Sequence, residues 1–177
     1  MKRRSLLKFI GPALASASPV RLYAEVYLST DQAKALLCPK QSLTAQAITL
    51  SEAEKKAIEK ASGVRVREIK LNVFRGSGGS WLFLDTVLGK HEFINYAVAL
   101  SGDGSVTGVE ILTYRESYGH EIKNPQWRAQ LNGKNAGSAL KLDQDVKNVS
   151  GATLSCSHIT EGVRRIVHTF AIAVKGK

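Results

Sequence analysis

Between Glu92 and Tyr114 the chain reads EFINYAVALSGDGSVTGVEILTY. Two runs rich in Val, Ile, Leu and Tyr flank Gly102-Asp103-Gly104, a turn triplet that lets a strand reverse onto its neighbour. Working back, Trp81–Leu88 has the same character, and Val64, Val66, Ile69, Leu71 and Val73 alternate with Arg65, Arg67, Lys70 and Asn72. Period-two patterning over that length predicts an antiparallel sheet from Val64 to Tyr114. The connection Arg75-Gly76-Ser77-Gly78-Gly79-Ser80 lacks the Lys-Ser/Thr pair of a phosphate-binding loop and leads into a strand, so it reads as a strand connection.

On either side of this block the period becomes helical. Ser29 and Gln32 form a capping box ahead of Ala33, Leu36 and Leu37, with Pro39 as the stop. Ser51 and Glu54 form a second, ahead of Ala53, Ala57, Ile58 and Ala61, with Gly63 ending a helix over 52–62. Asn124-Pro125 opens a short helix carrying Trp127 and Leu131. A final helix is expected from Ser157, with Ile159, Val163, Ile166, Val167 and Phe170 on one stripe. The class is α+β: an antiparallel sheet with helices packed on it.

The amino terminus is an address. Lys2, Arg3, Arg4 and Lys8 precede the short apolar run Phe9–Leu14, then the small residues Ala15-Ser16-Ala17. That is the order of an export signal, with Arg3-Arg4-Ser5-Leu6-Leu7-Lys8 similar to the twin-arginine pattern. Residues 1–24 are therefore assigned to the signal and its cleavage region, with cleavage expected after Ala17, and the mature protein to the periplasm. The run is too short to span a bilayer, so no stable membrane anchor is expected. Residues 25–63 form a helical lead-in and 64–177 the main domain.

Among 177 residues the chain has 25 Lys and Arg, 15 Asp and Glu, and two cysteines. Loss of Lys2, Arg3, Arg4 and Lys8 takes the formal charge from +10 to +6. The basic residues are scattered without an aromatic-interleaved stripe, so nucleic acid is not an expected partner; docking to acidic proteins and simple solubility are the readings of the charge. His91, His120, His158 and His168 share no ligand spacing and no triad is visible, so neither a metal site nor a catalytic set is expected. Cys38 and Cys156 could pair in an oxidising compartment or be two small buried thiols.

The chemistry-bearing stretch is Ser150-Gly151-Ala152-Thr153-Leu154-Ser155. Small side chains let the backbone approach an anion, and free amides at a helix start favour one; an ordinary loop ending in a helix cap is the other reading. This stretch resembles the SGATxS/T motif of the FMN-binding domain family, known from the flavin-carrying small subunits of the Rnf and Nqr electron-transport complexes. The surrounding order is similar too: a hairpin around Gly102-Asp103-Gly104, the strand Thr107–Leu112, the segment Glu116-Ser117-Tyr118-Gly119 in place of the family's ET-Pro-Gly, a Trp-containing short helix, the motif, and a terminal helix.

The resemblance implies FMN as cofactor, carried by Thr153 through a phosphoester that a separate flavin transferase installs from FAD. It implies further contacts from Ser150, Gly151, Ala152, Leu154 and Ser155, and from Glu116, Ser117, Tyr118 and Gly119 of the second loop. Tyr118 or Trp127 could stack on the flavin ring; the alternative for Trp127 is the core. Lys147 stands where the transferase-recognition pattern has an acidic residue, with Asp145 two residues earlier. The implied activity is electron transfer, with a cytochrome, a quinol-linked membrane complex or a periplasmic reductase as redox partner. The alternatives are a flavin-dependent periplasmic reductase of a small acceptor and a regulatory or assembly module.

Overall fold

The computed structural model describes residues 25–116 and 119–177. The expected export signal with its expected cleavage after Ala17, and Ser117 and Tyr118, lie outside the described residues.

Six strands form one sheet: β1 (Glu25–Val26), β2 (Leu43–Thr49), β3 (Lys70–Gly76), β4 (Trp81–Leu88), β5 (Phe93–Leu100) and β6 (Val106–Tyr114), in the order β1-β6-β5-β4-β3-β2. Every pairing is antiparallel. β4 and β5 pair over their full length, from Trp81 opposite Leu100 to Leu88 opposite Phe93. β5 and β6 shift register between Asn95 and Tyr96 and again between Ala99 and Leu100, two irregularities that bend and twist the centre of the sheet.

Each face of the sheet is covered. On one side, Tyr96, Val98, Ile111 and Val73 pack against Ile159, Val163, Ile166 and Phe170 of α4 (Thr153–Thr169) in a single apolar cluster. On the other, Leu82, Ala97, Ala99 and Leu112 meet Ala33 and Cys38 at α1 (Thr30–Leu37). Fully burying one such aliphatic side chain is worth about 1.5–3 kcal/mol, and two covered faces account for the near-continuous apolar and buried run of β5. α2 (Glu52–Ser62) lies beside α4, with Ile58 in a third cluster that includes Leu50, Val66 and Ala173.

Both predicted capping boxes are present, at Ser29–Gln32 and Ser51–Glu54, and Gly63 closes α2. Asn124 caps α3 (Pro125–Ala129) by accepting from the Gln126 amide at 2.9 Å. Arg128 then ties this corner together. Its guanidinium meets both oxygens of Glu110 at 2.8 and 2.9 Å, donates to the Val109 carbonyl at 2.8 Å and also to the Lys123 carbonyl.

Several elements differ from the sequence reading. Residues 64–69 are not strand: the Val66 amide donates to Glu59 Oε1 at 2.9 Å and the Val64 amide to Ser62 Oγ at 3.1 Å, so this segment spends its polar groups on α2. The strand begins only at Lys70. Leu43–Thr49 forms an edge strand within the lead-in, where Thr44, Gln46 and Thr49 dilute the apolar pattern. Leu36 is exposed, and Ala53, Ala57 and Ala61 face outward from α2. α4 starts at Thr153, four residues before Ser157, because Ala152, Cys156 and Ile159 already continue its buried stripe. Cys38 and Cys156 are free and buried on opposite faces of the sheet, which excludes a pairing between them.

Candidate functional site

The motif sits at the start of α4. Ser150 and Gly151 are exposed, and Gly151 adopts φ +86°, a left-handed conformation that turns the chain into the helix. Ala152 is buried and anchors the turn, while Thr153 is the first helical residue and stands exposed. No side chain caps this helix. The first-turn amides of a helix have no acceptor within it, so they and the positive end of the dipole favour an anion here.

Thr153 has one side-chain partner. Asn148 Nδ2 donates to Thr153 Oγ1 at 3.0 Å, and Asn148 Oδ1 accepts from the Val149 amide at 2.8 Å. The second contact fixes which end of the amide faces the threonine. Thr153 Oγ1 is therefore the acceptor in this bond, and its own proton remains to be given outward. Leu154, the next residue, is 49% exposed and adds apolar surface at the start of the helix.

Ser155 turns inward. It is buried, and its hydroxyl lies 2.9 Å from the Tyr114 hydroxyl at the end of β6. Gly119 closes over this pair with φ +88°; a Cβ there would come 2.5 Å from the Tyr114 hydroxyl and 2.7 Å from Ser155 Oγ. Gly119 and the motif thus meet through Tyr114 and Ser155. Only glycine satisfies both the backbone angle and the space.

Glu116 is placed differently from Gly119. Its carboxylate is buried and accepts from the His91 amide at 2.6 Å and the Glu92 amide at 3.0 Å, so it ties the β4–β5 turn to the end of β6. Burial alone would push this carboxyl up, but the amides of Glu92, His91 and Lys90 outweigh that and leave it below the usual range. Trp127 belongs to the core, 3% exposed, with its indole N–H donating to the Lys147 carbonyl at 2.9 Å, so it is not a ring-stacking residue.

The approach to the motif is braced from behind. Lys147 is held through its backbone, its amide donating to Gln130 Oε1 at 2.8 Å, and its side chain is left exposed. Asp145 accepts from the Leu140 amide at 3.0 Å, the Lys141 amide at 2.8 Å and the Lys134 ammonium at 3.1 Å. It therefore serves the preceding turn. Sequence reasoning missed Asn148, which carries no motif signal of its own. Its role becomes visible only when the loop folds its amide back over Thr153.

Among the described residues no group of three or more His, Cys, Asp or Glu could hold a metal, and no helix is long and apolar enough to cross a membrane. The family model described as FMN-binding domain matches residues 89–168, from the β4–β5 turn through most of α4. No curated protein matches the chain.

Proposed function

Over residues 89–168 this chain belongs to the FMN-binding domain family and takes FMN as its cofactor, and from that premise we propose that it is an exported electron carrier bearing FMN on Thr153. The observation that carries this reading is the exposed Thr153 hydroxyl, held by Asn148 at the uncapped start of α4. The residues present fit the group. Ser150, Gly151 and the open first-turn amides suit its phosphate, and exposed Leu154 offers an apolar face to a flat ring.

FMN supplies one- and two-electron redox chemistry when bound. The chain's part is attachment and placement. Attachment forms a bond from Thr153 Oγ1 to the flavin-side phosphorus of FAD and breaks the pyrophosphate, releasing AMP; the hydroxyl proton passes to the base of a separate magnesium-dependent transferase. Asn148 orients the hydroxyl without taking its proton. Gly119 packs over the Tyr114 and Ser155 hydroxyls, which places it against the helix start.

A carrier of this kind exchanges electrons by docking with a cytochrome, a quinol-linked membrane complex or a periplasmic reductase. The basic sequence suits acidic docking partners. The test is purification after co-expression with a flavin transferase, followed by anaerobic reduction and reoxidation. The expected result is a yellow protein whose visible absorbance bleaches and returns without a second substrate. A colourless product would overturn the reading, and rapid turnover with a small acceptor alone would favour a self-contained reductase.

A further inference from the structure

The ladder between β3 and β4 is short. Only Val73–Phe83, Phe74–Leu82 and Arg75–Trp81 are paired, although both strands continue. Continued in register, the next pairs would be Asn72 with Leu84, Leu71 with Asp85 and Lys70 with Thr86. All six of those residues instead line one cleft of about 570 Å³. The sheet parts there: the Thr86 amide turns to Asp85 Oδ1 at 2.8 Å, and the other facing edges of the two strands form no ladder with each other.

Phe83, Phe93 and Ile166 add apolar wall to this cleft, and Phe93 is 53% exposed. Its charge is one-sided. Arg67, Lys70, Arg115 and Arg165 line it against Glu68 and Asp85, and Asp85 is already paired with Arg165 at 2.6 Å and accepts from the Tyr96 hydroxyl at 2.7 Å. Arg67, Lys70 and Arg115 are exposed and form no ion pair among the described residues. A smaller cleft of about 280 Å³ shares Arg67, Thr86 and Arg165, and is also lined by His158, whose Nδ1 is buried without a partner among the described residues.

We propose that the parting of β3 and β4 is a binding site for a small planar aromatic anion, such as an aryl carboxylate or sulfonate. The ring occupies the apolar walls beside Phe93 and Leu84, the anionic group faces Arg67 and Arg115, and the open strand edges supply further hydrogen bonds. A cleft of this volume that combines apolar walls with convergent charged groups is suited to a small ligand with a ring and a charged end. It is distinct from the Thr153 site: Arg165 lies twelve residues further along α4, about 18 Å at 1.5 Å per residue.

The site is tested on the Thr153→Ala chain, so that the outcome does not depend on flavin attachment. Titration with 2-naphthalenesulfonate, followed by amide chemical shifts and calorimetry, is expected to show one saturable site centred on residues 70–72 and 84–86. Uncharged 2-naphthol, and the double variant Arg67→Glu with Arg115→Glu, should each weaken binding about tenfold or more. Both arginines are exposed, so the variant is expected to melt like the parent. Absence of saturable binding, shifts centred elsewhere, or an affinity indifferent to the charge reversal would overturn the proposal.

Discussion

Asn148 Nδ2 donates to Thr153 Oγ1 at 3.0 Å while its own Oδ1 is tied to the Val149 amide. The threonine that opens α4 is thereby held with its oxygen engaged and its proton available. If this bond orients the nucleophilic oxygen for the transferase, Asn148→Ala should still accept FMN but more slowly. One hydrogen bond of about 1–1.5 kcal/mol corresponds to roughly a tenfold slower initial rate. The rate of flavin incorporation by purified transferase, followed by intact mass, measures it; an unchanged rate would remove Asn148 from the site.

Gly119 meets two constraints at once, a φ of +88° and the close approach of Tyr114 and Ser155. Gly119→Ala should therefore destabilise the fold by about 1–3 kcal/mol, through backbone strain and displacement of the hydroxyl pair. Thermal melting of the variant gives the value. Tyr114→Phe, which removes only a hydroxyl, should cost less, about 1 kcal/mol.

The Glu116 carboxyl is held below its ordinary range in the folded protein. A group whose folded pKa is depressed contributes stability that is present above the unfolded value and lost as pH falls through the folded one. Wild type should therefore lose this contribution below about pH 4.3, the ordinary glutamate value. Glu116→Gln should melt lower than wild type at neutral pH, and the two curves should converge in acid. Asp145, lowered by its amide partners at Lys141 and Leu140 and by Lys134 against the opposing effect of burial, adds in the same direction. Melting temperature from pH 3 to 7 tests the sign.

Much of the fold was legible because the signals are local. Capping boxes at Ser29 and Ser51, Gly63, Pro125 and the Gly102-Asp103-Gly104 turn each act within a few residues, and the structure follows them. What was not legible depends on distant partners. Val64 and Val66 look like strand until Glu59 and Ser62 take their amides, and β2 is an edge whose polar residues mask its period. In the candidate site, Thr153 was marked by the resemblance of residues 150–155 to the family motif, whereas Asn148 acts through a loop geometry that no spacing encodes. Glu116 and Gly119 stand in one sequence segment, yet the structure gives Glu116 to the β4–β5 turn and Gly119 to the motif.

Cys156 lies buried in α4 and its thiol is pushed up to about 11, chiefly by that burial; burial also raises Cys38. Neither is a nucleophile at neutral pH, because reaction requires the thiolate. In the native protein both should resist a thiol reagent such as Ellman's, and both should react once the chain is unfolded. One fast-reacting native thiol would contradict the packing described on that face.

Thr153 is the proposed carrier of the flavin. The most direct measurement is the intact mass and peptide map of the protein co-expressed with a flavin transferase, beside Thr153→Ala. The expected result is a gain equal to FMN less one water, located on the peptide containing Thr153 and absent from the variant. An unmodified mass in wild type, or an equal gain in Thr153→Ala, would contradict it.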